Sequence, residues 1–418
     1  MNKFLTFGLT AAFAASVTVI GTAQSAKKTI TVSGWAGIDK LIEGVKAGFE
    51  KENPNLEIKV VGGMGFGDYH PALNNRMQSG NAEDVVAVGG QFVVEYAYGT
   101  FLEDLRAAPY NADAKFRRGF VQSQVAGATG PKGNFVAVPA DAPPNVMYYR
   151  RDLLEKAGVK IEDMIASWDG YIEAGKKLKT VGAFLSNGAE DIAGTIAEAN
   201  VPSTEGVYFD KAGKSIVDNA RFVKAFTYAK QVRDLGLDSR IPGWTPEWFS
   251  AFKDGKIATI TIGSWFEDVL TGQADKDGKG RWGVSLAPEK AAGIGGGAFY
   301  AIPAAGKNKG DAWKFVQYMT SNPKTQAEIF KQSGNFPANL AALKEPIFQE
   351  PSAFFGGQKI RQVYVQAAKM IKPALSSKNF DLAATIVGDA LKQVLEQNKD
   401  IKQALAEAKA LIERRTQR

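Results

Sequence analysis

The chain of 418 residues is 45% hydrophobic and 23% charged, the balance of a globular protein large enough to form two lobes. It has no cysteine and one histidine, His70. Cysteine and multi-histidine metal sites are therefore excluded, and a Ser-His-Asp triad would have to use His70. The formal net charge of +7 is spread along the chain without a basic block, which argues against nucleic-acid binding.

The first 25 residues have the pattern of a secretory signal peptide. A positively charged start is followed by an uncharged apolar run at 4–20 and then by small residues that suit cleavage. The apolar run is short for a membrane span and has no positive flank after it. We therefore expect a periplasmic protein whose signal peptide, 1–25, is removed and which has no cysteine to carry a lipid anchor.

Strands and helices alternate after this segment. Strands are predicted at 29–32, 56–61 and 84–88, and helices at about 39–52, 71–78 and 92–98. This rhythm predicts βαβ units and a mainly parallel sheet. Trp35 and Gln91 lie in the turns that follow the first and third of these strands.

Residues 135–149 have the pattern of a stiff passage between two lobes. Two short predicted strands flank a polar link that carries Asp141 and the pair Pro143-Pro144, whose rings fix φ and whose nitrogens donate no hydrogen bond. The helix after the second strand is predicted to have Asp152 as its N-cap. A lone acid on such a link would lie where the lobes meet.

The second half of the chain is more helical. Helices are predicted to begin at Ser167 or Trp168, Asn219 and Thr245, and the chain after Asn339 is predicted to be nearly all helical. Further strands are predicted at 256–262, 282–286 and 299–302, with a glycine-rich segment at 293–297 and a stiff turn at 334–338. We predict an α/β fold of two lobes that are interleaved in sequence.

The candidate ligand-binding residues are aromatic, amide or acidic side chains in turns, mostly at strand ends, together with one glycine. Ligands of open α/β sheets lie beyond the carboxyl ends of the strands. Aromatic rings cover the apolar C–H faces of sugars, while acid, amide and backbone N–H groups bond their hydroxyls. The set is Trp35, Gln91, Asp141, Trp244, Trp265, Gly296, Phe299, Asn335 and Phe336. No cofactor, metal or catalytic residue is predicted.

Several segments resemble one family when taken in order along the chain. They are FEKENPNLEIKV at 49–60, YRRDLLEKAG at 149–158, AFKDGKIA at 251–258 and AWKFV at 312–316. Together they resemble the extracellular solute-binding proteins of carbohydrate ABC importers, the maltose-binding-protein-like family 1. The resemblance covers almost all of the predicted mature chain.

This resemblance implies two α/β lobes joined by three hinge crossovers, near 139–141, 295–297 and 335–337. The N-terminal lobe would comprise 26–139 and 297–335, and the C-terminal lobe 140–296 and 336–418. Asp141 and Gln91 then match positions where the family binds ligand through acids, and Trp265 resembles a stacking Trp of the second lobe. Val88 departs from the pattern, because an aromatic residue is expected there. Maltose itself is therefore in doubt as the ligand.

The implied function is capture of a mono- or oligosaccharide by hinge closure and its delivery to the transmembrane subunits of an ABC permease. A monomer without enzymatic activity is expected. Three alternatives stay open: a binding protein for a polyol, a glycerol phosphate or an acidic sugar; a binding protein used for sensing; and a secreted carbohydrate-active enzyme, which would need two facing carboxylates.

Overall fold

The computed structural model describes residues 27–416, so the predicted signal peptide at 1–25 lies outside the described residues. The strands are β1 (Lys28–Ser33), β2 (Leu56–Val61), β3 (Val85–Gly89), β4 (Ala137–Pro139), β5 (Asn145–Arg150), β6 (Thr259–Gly263), β7 (Trp282–Ser285) and β8 (Ala298–Ala301).

Helices contribute many more residues to the fold than strands do. They are α1 (Ile38–Glu52), α2 (Phe66–Gln78), α3 (Gly90–Tyr98), α4 (Ala114–Arg117), α5 (Gln122–Gly127), α6 (Arg151–Lys156), α7 (Ile161–Ala166), α8 (Trp168–Thr180), α9 (Ala189–Glu198), α10 (Ala220–Asp234), α11 (Pro246–Lys253), α12 (Phe266–Val269), α13 (Lys309–Ser321), α14 (Pro323–Ser333), α15 (Ile360–Met370), α16 (Phe380–Gln397) and α17 (Ile401–Thr416). A π-helical turn, Leu270–Ala274, extends α12, and 3₁₀ turns lie at Pro288–Lys290, Ala342–Lys344 and Pro346–Gln349.

The first sheet has the strand order β2-β1-β3-β8-β4. Strands β1, β2 and β3 are parallel, whereas β8 is antiparallel to both β3 and β4. Strand β4 therefore runs in the same direction as β1–β3, and the predicted mainly parallel sheet is correct for four of the five strands, with β8 as the exception. The reason is topological: β8 enters this lobe from the other one, so it runs against its neighbours.

The second sheet is smaller and fully antiparallel, with the order β6-β5-β7. Helices pack on both sides of it, and two clusters of buried apolar side chains form the cores of this lobe. The first lobe has one such cluster, drawn from residues 30–142 and 298–338. The chain thus contributes to the first lobe twice, which is the interleaving that the sequence predicts.

Three crossovers join the lobes and run side by side. The backbone N–H groups of Ala140 and Asp141 in the first crossover both donate to the carbonyl of Ala298 at the end of the second, at 2.8 and 3.3 Å. The N–H of Ala142 donates to the carbonyl of Phe336 in the third, at 2.8 Å. The N–H of Gly295 donates to the carbonyl of Pro143 at 2.8 Å. The predicted three-crossover fold is therefore confirmed.

Two helix starts differ from the prediction. Helix α2 begins at Phe66, five residues earlier than predicted, and includes Pro71 as its sixth residue, where the missing N–H removes one intrahelical hydrogen bond. Asp152 is not an N-cap, because α6 begins at Arg151. Its carboxylate instead accepts two hydrogen bonds from the guanidinium of Arg150, at 2.8 and 2.6 Å.

The second crossover depends on close backbone contact at Gly295. A Cβ there would lie 2.4 Å from the Cα of Gly263 and 2.4 Å from Oδ1 of Asn145, whereas a Cβ at Gly293 would have no neighbour nearer than 3.6 Å. We expect Gly295→Ala to destabilise the protein by about 1–3 kcal/mol and Gly293→Ala to change its stability much less. Urea unfolding of the two variants measures this. Equal effects would contradict the contact.

Candidate functional site

A cavity of about 1210 Å³ lies between the two lobes. The first lobe contributes one wall, the second lobe contributes the opposite wall, and all three crossovers contribute residues to the lining. Seven of the nine predicted ligand-binding residues line it: Trp35, Gln91, Asp141, Trp244, Trp265, Gly296 and Asn335.

The structure does not bring Phe299 and Phe336 to this cavity. Both side chains are fully buried. Phe299 lies in β8 within the core of the first lobe, and Phe336 packs against Phe330 and Phe348 in the second. Each residue lies on or beside a crossover. Its ring, however, points into a hydrophobic core, and only its backbone is part of the crossover. Sequence position alone could not show whether these rings point into a core or into the cavity.

Asp141 lies on the first crossover, where it is only 7% exposed. One carboxylate oxygen, Oδ1, accepts the backbone N–H of Ala298 at 2.6 Å, so the acid also ties two crossovers together. Burial raises the pKa of Asp141 to about 7, and the hydrogen bond from Ala298 opposes this rise only in part. An acid placed here can change its protonation near neutral pH.

The wall from the second lobe is an aromatic surface made by Trp244 and Trp265. Their ring centroids lie 5.8 Å apart with 23° between the planes. Trp265 is half-buried, and its Nε1–H donates to the carbonyl of Gly295 at 2.7 Å, which fixes the ring against the second crossover. Trp244 is 57% exposed and has a φ of 66°, an uncommon backbone conformation for a bulky residue.

The wall from the first lobe combines aromatic rings with an amide. Trp35 and Phe66 pack edge to face with their centroids 5.1 Å apart. Gln91 is exposed at the start of α3, just after β3. The N–H of Gly90 donates to the carbonyl of Gly297 at 2.8 Å, so this turn is joined directly to the second crossover.

Gln124 is a buried cleft residue that the sequence analysis missed. Its Nε2 donates to the carbonyl of Asp141 at 3.1 Å and to that of Gly296 at 3.4 Å, and it thus connects α5 to two crossovers. Gln124 lies inside a short helix rather than in a turn, so no turn signal marked it. A Cβ at Gly297 would lie 2.3 Å from this Nε2, which explains the glycine there.

Charged residues of the second lobe also line the cavity without having been predicted. They are Glu198 at the end of α9, Asp268 in α12 and Lys372 after α15. The side chain of Glu198 is open to the cleft, yet the protein around it raises its carboxyl pKa by desolvation. Their helical or interhelical positions resemble those of ordinary surface charges, so no sequence pattern marked them as ligand-binding residues.

Residues 371–377 form a segment without regular secondary structure along the cleft, where the sequence predicted helix. The Lys372-Pro373 step is the signal that was overlooked, because a residue before proline is disfavoured in the helical conformation. The segment reaches the first lobe, where the hydroxyl of Ser376 donates to the carbonyl of Ala126 in α5 at 3.4 Å. The two lobes are thus in contact across the cleft.

Within residues 27–416, no group of three or more His, Asp or Glu side chains is arranged to hold a metal ion. In the same described part of the chain, no helix combines the length and the apolar composition needed to cross a membrane.

Comparison with known proteins identifies relatives. Residues 45–356 match the bacterial extracellular solute-binding proteins. The chain is 28% identical to the lactose-binding protein of Rhizobium radiobacter over 243 residues, or 55% of this chain and only 56% of that protein. It is 27% identical to the maltooligosaccharide ABC transporter solute-binding lipoprotein of Streptococcus pneumoniae, over 76% of this chain and 74% of that one.

Solved structures share the fold. The galacto-N-biose-/lacto-N-biose I-binding protein of the ABC transporter from Bifidobacterium longum superposes with a TM-score of 0.77, at 19% identity, over 92% of this chain and 96% of that one. The likeness to this solved structure is one of fold. The chain belongs to the bacterial extracellular solute-binding protein family, which confirms the family that the sequence predicts.

Proposed function

We propose that this protein is the sugar-binding component of an ABC importer. The observation that carries the proposal is the cleft itself, a cavity of about 1210 Å³ that pairs aromatic faces with hydroxyl-bonding groups. Trp35 and Trp265 supply apolar surface from opposite lobes, while Asp141, Gln91 and Asn335 supply carboxylate and amide groups. Sugars present these same two kinds of surface.

The mechanism is hinge closure. A sugar that contacts both walls binds the closed form better than the open form, and it therefore shifts the population towards closure. The three hydrogen-bonded crossovers restrict the motion to a bend about themselves, and Asp141 and Gln124 lie at that bend. Closure also creates a composite surface from both lobes, which the transmembrane subunits of the permease recognise.

The proposal includes the location and the oligomeric state of the protein. The chain is exported through its signal peptide, 1–25, works in the periplasm without a lipid anchor, and acts as a monomer. It binds no nucleic acid, needs no cofactor and performs no catalysis. The membership of the chain in a family of extracellular binding proteins supports the binding role and the location outside the cytoplasm.

A second candidate ligand class is favoured by one residue. Lys372 is exposed in the cleft, and none of its contacts within residues 27–416 is an ion pair. Its ammonium group suits an acidic sugar or a glycerol phosphate. The acids Asp141, Glu198 and Asp268 in the same cleft oppose a negatively charged ligand, and we therefore rank neutral saccharides first.

A thermal-shift screen tests the proposal. A ligand present at 100 times its Kd stabilises the folded state by about 2.7 kcal/mol, which is about 3 °C for a chain of this size. We expect lactose, maltooligosaccharides or arabinooligosaccharides to raise the Tm. Glycerol 3-phosphate, galacturonate and sorbitol are screened in parallel, and a rise in Tm with one of them alone would favour the corresponding alternative ligand class. If no carbohydrate raises the Tm, sugar binding is refuted. Release of shorter sugars during incubation would instead indicate an enzyme.

A further inference from the structure

His70 lies directly beneath the wall that the first lobe contributes to the cleft. Its side chain is completely buried in α2. The backbone N–H of Gly89 donates to Nε2 at 3.0 Å, so Nε2 is an acceptor and carries no proton. Nδ1 must then carry the proton, and it donates to the carbonyl of Phe66 at 3.1 Å. One neutral ring thus joins the start of α2 to the end of β3.

One of these backbone partners lines the cleft, and the other lies next to residues that do. Phe66 lines the cavity, and Gly89 is followed at once by the lining residues Gly90 and Gln91. A Cβ at Gly89 would lie 2.8 Å from the ring of Phe66 and 3.2 Å from Nε2 of His70, so the turn and the two rings are in close contact. A shift of the imidazole would therefore move two parts of the wall together.

Aromatic rings surround the imidazole. It stacks on Phe92 with centroids 3.9 Å apart and planes 19° apart, and it lies 5.4 Å from Trp35 and 4.7 Å from Phe66. The titratable ring in contact is Tyr69, at 5.1 Å, whereas Asp68 on α2 and Glu95 on α3 are exposed. Burial lowers the pKa of His70, which keeps the ring neutral and preserves the bond from Gly89.

We propose that His70 is a positioning residue for the ligand site, fixing the Gly89–Gln91 turn against Phe66 and Trp35 so that the wall is formed before ligand arrives. The contribution to affinity rests on the proposed sugar-binding function, whereas the fixed turn does not. Because the ring contacts backbone and aromatic groups rather than the cavity, it acts through the wall and does not touch the sugar.

The first test needs no ligand. The chain has one histidine, so its imidazole nitrogen signals in NMR belong to a single residue. We expect the Nδ1–H tautomer in the wild type and strong protection of the Gly89 amide from hydrogen exchange. His70→Met removes the acceptor and should speed exchange of that amide at least tenfold. His70→Gln can still accept the Gly89 N–H through its side-chain oxygen and should stay within about threefold of the wild type.

A matched control separates positioning from general loss of stability. Gln326→Met removes another buried hydrogen bond, from Nε2 to the carbonyl of Met319, remote in the fold from this turn. It should leave exchange at Gly89 unchanged under conditions where every variant is folded. Unchanged exchange in His70→Met, equal behaviour of His70→Met and His70→Gln, or the opposite imidazole tautomer would each overturn the proposal. The imidazole tautomer is measured on the wild type, so this test of the proposal remains available even if His70→Met fails to fold.

The second test uses lactose and maltotriose as probes. A sugar that binds should shift the imidazole signals of the wild type. It should bind at least tenfold more weakly to His70→Met, within threefold of wild-type affinity to His70→Gln, and without change to Gln326→Met. Undiminished affinity of His70→Met would overturn the role in binding. If neither sugar binds the wild type, the assignment of these ligands fails, while the exchange experiment still decides whether His70 fixes the turn.

Discussion

Replacing Trp265 by alanine should weaken saccharide binding by about tenfold or more. The ring supplies the aromatic face nearest the crossovers, and its Nε1–H holds the carbonyl of Gly295 at 2.7 Å. The alanine variant loses both the contact area for the sugar and this anchor, and tenfold corresponds to about 1.4 kcal/mol. Calorimetric titration with the saccharide that gives the largest thermal shift measures the loss.

Two further variants assign the cause of this effect. Trp265→Phe keeps an aromatic face but loses the bond to Gly295, so an intermediate affinity would separate stacking from anchoring. Trp168→Phe alters a tryptophan that is only 2% exposed, does not line the cavity and packs on Tyr171 and Tyr228, so it should change stability and leave affinity unchanged. Wild-type affinity in Trp265→Ala would show that the ring has only a structural role.

Replacing Asp141 by asparagine should have opposite effects on stability and binding, both of which depend on pH. The folded protein holds the Asp141 proton up to about pH 7, whereas the unfolded chain releases it near its ordinary value of 3.8. Between these values the native state binds more protons, so the contribution of Asp141 to stability falls as pH rises. Over a difference of about three pKa units, the free energy of unfolding falls by about 4 kcal/mol at most.

The variant removes this cost of ionisation. Asp141→Asn should match the wild type in stability near pH 4 and exceed it near pH 8, since the amide oxygen can still accept the N–H of Ala298. Urea unfolding across this pH range measures the difference. Asp238→Asn is the contrasting control, because it breaks a buried ion pair with Arg233, 2.8 Å long, and should destabilise at neutral pH. A loss of stability in Asp141→Asn at pH 8 would contradict the raised pKa.

The effect of Asp141→Asn on ligand affinity should be opposite to its effect on stability. At pH 8 the ionised Asp141 can accept a sugar hydroxyl through a charge-assisted bond, worth about 1.5–3 kcal/mol. The asparagine variant should therefore bind about ten- to a hundredfold more weakly at pH 8. The gap should narrow at pH 5, where the wild-type carboxyl is protonated. A gap that is constant with pH would remove Asp141 from direct contact with the ligand.

Local signals predicted many elements of this fold. The side chains of Ser167, Asn219 and Thr245 accept backbone N–H groups at the starts of α8, α10 and α11, where the sequence predicted helix starts. These predictions are confirmed because an N-cap depends on atoms within three residues of one another. Asp152 failed as a predicted cap because Arg150, which also lies nearby, competed for its carboxylate.

The sequence pointed to residues of the candidate site where a turn follows a strand or the chain crosses between lobes. Trp35, Gln91, Asp141 and Trp265 follow strands or lie on a crossover, and all four line the cleft. Gln124 was not accessible, because a glutamine within a helix carries no local mark of its two bonds to crossover carbonyls 17 and 172 residues away.

The sequence by itself determined the alternating architecture, because that depends on the periodicity of apolar residues. Its ordered segments also resemble one family, and that resemblance implied the three crossovers. Only the tertiary structure decided which side chains face the cleft. Phe299 and Phe336 turn into the cores, while Glu198 and Lys372 reach the cavity from helical or interhelical positions. The direction of a side chain at a crossover depends on how separate segments of the chain pack against one another, and no local sequence pattern records that packing.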